Sequence, residues 1–229
     1  LAGFMVVKIQ LPQVEREAFS NLAAIADLKV AQIRRWLRER HNDGEVIMAV
    51  AGLSETVAAL QQRGGKQLEE GVRASLATLI AALRYDTAAL VDPSGRPDVV
   101  IGGYGALPET LALLPLALAG GQPLFSDVIA DSTGRLHFDL VVPLFHGDNG
   151  QRRPVGAVIL RDSPDRFLFP YLRHWPAANV SGETLLFRRE GDSVSFIDTP
   201  RRDGRSEGTL RLTPGADSLF VNASGAGEG

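Results

Sequence analysis

Apolar residues recur at steps of three and four along residues 12–40, a segment with no internal proline or glycine. They are Phe19, Leu22, Ala26, Val30, Ile33 and Leu37. This spacing is typical of one face of an amphipathic helix, and the rest of the surface is rich in charged residues. At ~1.5 Å per residue the helix would be about 40 Å long, more than a compact 100-residue domain needs. The pattern therefore predicts a helix that pairs with another helix or lies beside two stacked modules.

The stretch "HNDGE" at 41–45 contains Asn and Gly, the residues that most often end helices. The long helix is therefore predicted to end there. Shorter helical patterns follow at 45–51, 54–63 and 66–84, with "RGGK" as a break before the last of them. The first third of the chain is thus predicted to be almost entirely helical.

Beyond residue 84 the pattern changes to short apolar runs separated by turn residues. "DTAALVDPSGRPDVVIGG" indicates strand, turn and strand, and "PETLALLPLALAGG" indicates a helix with proline in its first turn. "LHFDLVVPLF" and "PVGAVILR" are predicted strands joined by a polar loop, and Ser163 is predicted to cap a short helix. "ETLLFRREGDSVSFID" predicts another hairpin and "GTLRL" one more strand. This order favours an α+β fold, an antiparallel sheet with helices on its faces, over a βαβ series.

The composition narrows the class of function. The chain has 229 residues, 45% of them apolar, and a net charge of −3, which is ordinary for a folded protein and unlike a basic nucleic-acid binder. The absence of Cys excludes disulfides, thiolate chemistry and Cys-ligated metals. The four His are far apart, and no zinc or nucleophile motif occurs. No catalytic residue, metal ligand or cofactor is therefore predicted.

The opening residues "LAGFMVV" carry no polar side chain and are followed by Lys8. Two interpretations remain open for them: the outer end of a membrane helix, or an ordinary buried strand or helix turn. No apolar run reaches the ~18 residues that are needed to span a bilayer.

Three blocks of the sequence together carry a resemblance to a known family. The first is "ADLKVAQIRRWLRERHNDGEVI" at 26–47. The second is "LVDPSGR" at 90–96 with "PLFSDVIADSTGRLHFDLVVPL" at 123–144. The third is "RFLFPYLRHWPAANVSGETLLFRREGDSVSF" at 166–196. In this order they resemble the long helix, the membrane-distal sheet and the crossover of the double Cache (tandem PAS-like) extracytoplasmic sensor domain of bacterial membrane receptors.

The resemblance implies a domain organisation. Residues 1–45 would form the long helix, with 1–8 as a remnant of a membrane helix. Residues 46–174 would form a membrane-distal PAS-like module with a helical cap, and 175–229 part of a membrane-proximal module. Only 17 residues follow Leu212, too few to complete such a module, so the second module is expected to be truncated. His174, Trp175 and Pro176 are expected to set the angle between the two modules.

The resemblance also implies a function. The chain would be the periplasmic signal-sensing domain of a membrane-anchored receptor with a histidine kinase or diguanylate cyclase output. It would bind a small molecule in the distal module and dimerise through the long helix, with no enzymatic activity of its own and no nucleic-acid partner. The alternative is a ligand-free structural or dimerisation module of such a receptor.

Strand alternation points to a candidate ligand site. In "LHFDLVVPL" the apolar side chains share one face, and His137, Asp139 and Val141 share the other, where a pocket is expected. Arg161 ends the partner strand and is expected to lie across the hairpin from His137. The predicted ligand-binding set is Tyr85, Tyr104, Asp127, His137, Asp139 and Arg161. The competing interpretation is a structural ion pair among solvated side chains.

Overall fold

The computed structural model describes residues 2–147, 152–174, 184, 186–190, 193–196 and 211–212. The helices are α1 (Ala2–Met48), α2 (Leu53–Arg63), α3 (Lys66–Leu83), α4 (Pro108–Gly120) and α5 (Leu168–Arg173), with a 3-10 turn at Pro164–Arg166. The strands are β1 (Thr87–Val91), β2 (Pro97–Ile101), β3 (Leu124–Phe125), β4 (Ile129–Ala130), β5 (Leu136–His146), β6 (Arg153–Asp162), β7 (Phe187–Glu190), β8 (Ser193–Phe196) and β9 (Arg211–Leu212). The long N-terminal helix and the antiparallel sheet confirm the predicted α+β class.

Strands β1 to β6 form one antiparallel sheet in the order β2-β1-β6-β5-β3, and the short β4 also pairs with β5. The predicted hairpins β1–β2 and β5–β6 are both present. Strand β1 lies between its hairpin partner β2 and the distant strand β6. The first and last strands of this sheet along the chain are therefore neighbours, and the end of β6 lies near its centre.

Each face of the sheet packs against a different group of helices. Alternate strand residues, including Leu90, Leu140 and Leu160, pack with α1, α2 and α3 on what we call the helical-cap face. The intervening residues, including Val141 and Ile159, pack with α4 on what we call the α4 face. Because side chains alternate along a strand, each strand contributes to both cores. This two-sided burial explains why β5 and β6 are continuous apolar runs broken by few polar residues.

The prediction that the long helix ends at 41–45 is wrong, because α1 continues to Met48 through Gly44. Gly44 is buried where α1 crosses Pro123, and an added Cβ would lie 2.5 Å from the Cγ atom of Pro123. This glycine therefore serves close packing of the helix on the sheet rather than helix termination. The separate helix predicted at 45–51 is the last turn of α1 together with the bend that follows it.

The buried line of α1 differs from the apolar stripe seen in the sequence. The helix buries Lys29, Trp36, Gly44 and Ile47, whereas Phe19 is 71% exposed and Leu22 48%. At ~100° per residue the centre of the predicted stripe lies roughly 50° around the helix from the centre of the buried line. The ring of Trp36 packs edge-on against Phe138, with 4.9 Å between ring centroids. Burial of that large aromatic ring favours this face of the helix.

Lys29 ties α1 to the end of α5. Its Nζ atom donates hydrogen bonds to the carbonyl oxygens of Tyr171 and His174. These carbonyls lie at a helix C-terminus, where backbone acceptors lack partners within the helix and a cation is favourable. Burial lowers the pKa of Lys29 from its ordinary value. The contact fixes α1 against the segment that leads out of the six-stranded sheet.

Two turns of the sheet are built from the same local sequence. "DPSGR" at 92–96 and "DSTGR" at 131–135 each place an Asp first and a Gly fourth. In each turn the Asp Oδ1 atom accepts hydrogen bonds from two backbone N–H groups and one hydroxyl. Gly95 and Gly134 have φ of 87° and 84°, the left-handed conformation that favours glycine. The turn predicted from the first of these sequences is confirmed.

The C-terminal strands β7, β8 and β9 form a second, three-stranded antiparallel sheet. The predicted hairpin and the extra strand are therefore confirmed. Trp175 and Pro176, which were expected to set the angle between modules, lie outside the described residues. The division at 45 and 174 remains a prediction. Within the described ranges, no helix has both the length and the apolar character needed to cross a membrane.

Candidate ligand-binding site

A row of polar residues crosses the α4 face of the six-stranded sheet. Thr87 on β1 is paired with Arg161 on β6, and Arg161 is paired with Asp139 on β5. Ser126, which follows β3, exchanges two hydrogen bonds of 2.8 Å with the backbone of Asp139. Paired residues on neighbouring strands point to the same face. Three polar side chains, those of Thr87, Arg161 and Asp139, therefore lie side by side on a largely apolar face, and Ser126 holds the backbone at the end of the row.

The centre of this row is a buried ion pair between Asp139 and Arg161. The Arg161 Nε and Nη2 atoms donate to the two carboxylate oxygens of Asp139, each at 2.7 Å. The Asp139 side chain is fully buried and that of Arg161 is 10% exposed. Burial alone would lower the pKa of Arg161, but hydrogen bonding to Asp139 and its charge raise it above its ordinary value. The Arg161 guanidinium is therefore held in its charged form.

Arg161 was predicted to lie opposite His137, and the structure places it opposite Asp139 instead. The register of the β5–β6 pair decides this, because a shift of one strand relative to the other changes every cross-strand partner. His137 pairs on its other side with Ile129 of β4. The competing interpretation, a structural ion pair, thus describes part of the geometry, although the pair is buried rather than solvated.

Helix α4 and the segment before it cover the ion pair. Thr110, in the first turn of α4, donates from its hydroxyl to Asp139 Oδ2 at 2.5 Å. The ring of Tyr104, from the β2–α4 connection, lies over the Arg161 guanidinium with 4.7 Å between Cζ and the ring centroid. Burial raises the pKa of Tyr104 to about 12, so its hydroxyl stays neutral at physiological pH. The carboxylate of Asp139 therefore has three side-chain donor contacts, and the cation has an aromatic cover.

His137 lies two residues before Asp139 on the same face and is 4% exposed. Burial, followed by the positive charge of Arg161, lowers the pKa of His137. The imidazole is therefore neutral at pH 7. A hydrogen bond to the backbone of Arg135 also acts on the ring. A neutral ring that donates one nitrogen to a carbonyl presents its other nitrogen as an acceptor.

The same region contains buried polar atoms without partners. Among the described residues, six buried side-chain polar atoms lack a hydrogen-bond partner. Three of these six belong to the α4 face beside the ion pair: Thr87 Oγ1, Tyr104 Oη and His137 Nε2. Buried polar groups in native proteins are nearly always hydrogen-bonded, and exceptions concentrate where function requires them. The cluster therefore combines a satisfied ion pair with three unsatisfied neutral groups.

The structure brings together four of the six residues predicted from the sequence: Tyr104, His137, Asp139 and Arg161. Tyr85 lies on the helical-cap face, where its hydroxyl donates to Asp43 Oδ2 at 3.1 Å and its ring faces Arg40. Asp127 is exposed between β3 and β4. Tyr85 precedes β1 and Asp127 lies in a loop, so strand alternation did not constrain either side chain.

Sequence reasoning missed three polar neighbours of the ion pair: Thr87, Thr110 and Ser126. Thr110 carried a usable signal, because it is the only hydroxyl residue in the apolar helix "PETLALLPLALAG". Thr87 also shares the alternation of β1, on the face of Ala89 and Val91. In the part of the chain that the structure describes, no group of three or more His, Asp or Glu side chains could hold a metal ion.

Comparisons with known proteins give the fold. No protein-family model matches the chain, and no curated protein sequence is significantly similar to it. Among solved structures, the sensor domain of the V. cholerae histidine kinase DctB is similar, with a TM-score of 0.53 and 9% identity over 86% of this chain and 91% of that one. The ligand-binding domain of the Pseudomonas aeruginosa amino-acid chemoreceptor PctC, solved with GABA, has a TM-score of 0.46 and 17% identity over 79% and 90%. The predicted resemblance is confirmed at the level of fold: the chain shares the architecture of a histidine kinase sensor domain.

Proposed function

We propose that this chain is an extracytoplasmic sensing domain that binds a small molecule on the α4 face of its six-stranded sheet. The observation that carries the proposal is the polar cluster on the α4 face, in which Asp139, Arg161 and His137 are buried and the partly buried Tyr104 lies over the guanidinium. A ligand site is typically an apolar recess with a few fixed polar groups, and this face has that composition. The sensor-domain fold supports a role in binding rather than in catalysis.

The proposed signal passes from this cluster to α1 through the end of β6. Arg161 faces the cluster, and the next residue, Asp162, lies on the helical-cap face. Asp162 accepts from the backbone N–H of Ser163 at 2.8 Å and lies 3.4 Å from Arg166 Nη1. Arg40 of α1 adds a favourable charge to the same carboxylate. A ligand that moves the end of β6 would therefore act on α1 through Asp162 and Arg40.

The size of the proposed response depends on differential affinity. A ligand shifts a two-state equilibrium only to the extent that it binds one state more tightly than the other. Reversing a ratio of 1:99 requires roughly 5.5 kcal/mol of such preference. The output would be a histidine kinase or a diguanylate cyclase in a membrane-anchored parent protein, as the sequence resemblance implies.

We further propose that two copies of the chain pair through α1. The stripe of Phe19, Leu22, Val30 and Leu37 is exposed, with fractions from 71% to 37%. With Ala26 and the half-buried Ile33 between them, apolar residues recur at steps of three and four over five helical turns, which suits the matching stripe of a second copy. The side of the helix away from the buried line is charged, so it does not compete as an apolar seam. The stripe is therefore the surface of α1 that a symmetric partner would cover.

A metabolite screen by thermal shift tests the sensing proposal. A ligand that binds only the folded state raises the melting temperature, by linkage. The screen should contain amino acids, carboxylates, amines, amides and sugars, and be repeated on Tyr104→Ala, which removes the cover of Arg161. The matched control is Tyr171→Ala, since Tyr171 is 42% exposed and lies on α5, away from the cluster.

The proposal expects stabilisation of the wild type and of Tyr171→Ala, with little or none for Tyr104→Ala. If no compound in the screen stabilises the wild type, the ligand-free dimerisation module becomes the better description. Equal stabilisation of all three proteins would place the binding site elsewhere.

A further inference from the structure

The charges in the candidate site are already satisfied within the protein. Asp139 receives both hydrogen bonds of the Arg161 fork and a third from Thr110. The Arg161 guanidinium is covered by the Tyr104 ring, and His137 is neutral. The cluster therefore has no net charge to offer. A charged ligand placed here would lose its hydration without gaining a counter-ion, which is strongly unfavourable in a buried site.

The groups that do lack partners are neutral. Thr87 and Tyr104 present hydroxyl groups, each of which can donate and accept a hydrogen bond. His137 presents Nε2, which accepts because the other ring nitrogen is engaged with the Arg135 backbone. Thr87 is directly paired with Arg161, and Tyr104 stacks on it, so both hydroxyl-bearing side chains border the ion pair. The unmet requirement of the site is for neutral donors and acceptors.

We infer that the ligand of this site is an uncharged molecule that carries both hydrogen-bond donors and acceptors, such as a polyol, a sugar or a primary carboxamide. This inference rests on the sensing function proposed above and adds the chemical class of the ligand. A carboxamide matches the requirement closely, because its NH₂ group can donate to His137 Nε2 while its carbonyl accepts from a hydroxyl. The Asp139–Arg161 pair then shapes and rigidifies the site and does not recognise charge.

Isosteric pairs of probes test the charge class. Isothermal titration calorimetry would compare succinamide with succinate, 4-hydroxybutanamide with 4-aminobutanoate, and glucose with glucuronate. The inference expects that the uncharged member binds at least ~10-fold more tightly in any pair that binds, a difference of about 1.4 kcal/mol. Tighter binding of a charged member would overturn the class and leave the sensing proposal standing.

Variants of the unpartnered hydroxyls give a second, ligand-specific signature. Tyr104→Phe and Thr87→Val each remove a buried group that lacks a partner in the unliganded protein. Each should therefore raise the melting temperature of the unliganded protein and weaken binding of the uncharged probe ~10-fold or more. The matched control is Tyr85→Phe on the helical-cap face, whose hydroxyl is hydrogen-bonded to Asp43. It should lower the melting temperature and leave affinity unchanged.

Two further results of these titrations would contradict the inferred ligand class. If an uncharged probe binds but Tyr104→Phe and Thr87→Val leave its affinity unchanged, these hydroxyls are not its ligands and the inference is wrong. If none of the six probes binds, the class assignment is contradicted, while the wider metabolite screen decides separately whether the chain senses a ligand at all.

Discussion

Arg161 and Asp162 are consecutive residues at the end of β6, yet their side chains belong to opposite faces of the sheet. Arg161 is paired with Asp139 under α4, whereas Asp162 faces Arg166 and the charge of Arg40 on the helical-cap side. Strand alternation makes this inevitable for neighbouring residues. A displacement of the peptide unit between Arg161 and Asp162 would therefore move a residue of the candidate site and a residue that faces α1 together.

The Asp139–Arg161 pair should behave as a buried ion pair in a double-mutant cycle. Asp139→Val or Arg161→Met alone leaves one buried charge without its partner, and each should lower the free energy of unfolding by about 3–5 kcal/mol. The double variant should be more stable than either single variant, because it leaves no uncompensated charge. Urea denaturation of the four proteins measures the coupling.

An exposed ion pair serves as the control for that cycle. Glu69 and Arg73 on α3 form a hydrogen bond of 2.9 Å, but both side chains are nearly half exposed. Glu69→Gln should change the free energy of unfolding by about 0.5 kcal/mol or less. Purely additive losses in the Asp139–Arg161 cycle would show that the buried contact contributes no coupling.

Asp162 should make stability depend on pH. Burial, only partly offset by Arg166, raises the pKa of Asp162 to about 6. The unfolded chain should titrate this group near ~3.9, so the folded state holds the proton more tightly. The corresponding stability is complete below about pH 4 and is lost as the pH rises through about 6. The loss should be on the order of 2–3 kcal/mol, at about 1.4 kcal/mol per pKa unit.

Urea denaturation of the wild type and Asp162→Asn between pH 4 and pH 7.5 isolates this group. The Asn variant should gain stability relative to the wild type as the pH rises, since it cannot ionise. Asp27→Asn on the exposed side of α1 serves as the control for loss of a surface carboxylate. A difference between wild type and Asp162→Asn that stays constant over this range would contradict the raised pKa.

Two helical glycines should respond in opposite directions to alanine. Gly44→Ala places a Cβ against the ring of Pro123 and should lower the free energy of unfolding by about 1–3 kcal/mol. Gly71→Ala on α3 meets nothing within 4 Å and should raise it by about 0.5–1 kcal/mol through helix propensity. Thermal or urea unfolding measures both. Stabilisation by both substitutions would mean that α1 does not approach Pro123 closely.

The exposed stripe of α1 should control self-association. Phe19→Asp combined with Val30→Asp introduces charge on the stripe and should weaken the dimer by at least ~10-fold, because these residues are 71% and 44% exposed in one copy. Sedimentation equilibrium gives the dissociation constant. Leu116→Asp on α4, where the leucine is 61% exposed, should leave it unchanged. A monomeric wild type at all concentrations, or an effect of Leu116→Asp alone, would argue against pairing through α1.

Local patterns predicted the elements well for identifiable reasons. The helices α2, α3 and α4 and the hairpins β1–β2 and β5–β6 follow from periodicity and turn residues within a few positions of one another. The end of α1 did not, because the role of Gly44 depends on Pro123, 79 residues away along the chain. The same residue type ends a helix in one setting and permits close packing in another.

In the candidate site, too, local sequence patterns predicted some features and contacts between distant segments decided the others. Alternation along β5 placed His137 and Asp139 on one face and assigned Asp139 and Arg161 to neighbouring strands. It could not supply the register that pairs them, the donor from Thr110 or the ring of Tyr104 above them. It also could not show that Tyr85 lies behind the sheet.

The sequence by itself determined which segments are helical or extended, and which residues of each strand share a face. These properties depend on backbone geometry and on neighbours close along the chain. Only the tertiary structure decided which face of α1 is buried, which residue forms the ion pair with Arg161, and which buried hydroxyls have no hydrogen-bond partner. Each of these depends on packing between segments far apart in sequence, where a shift of one residue in register exchanges every contact.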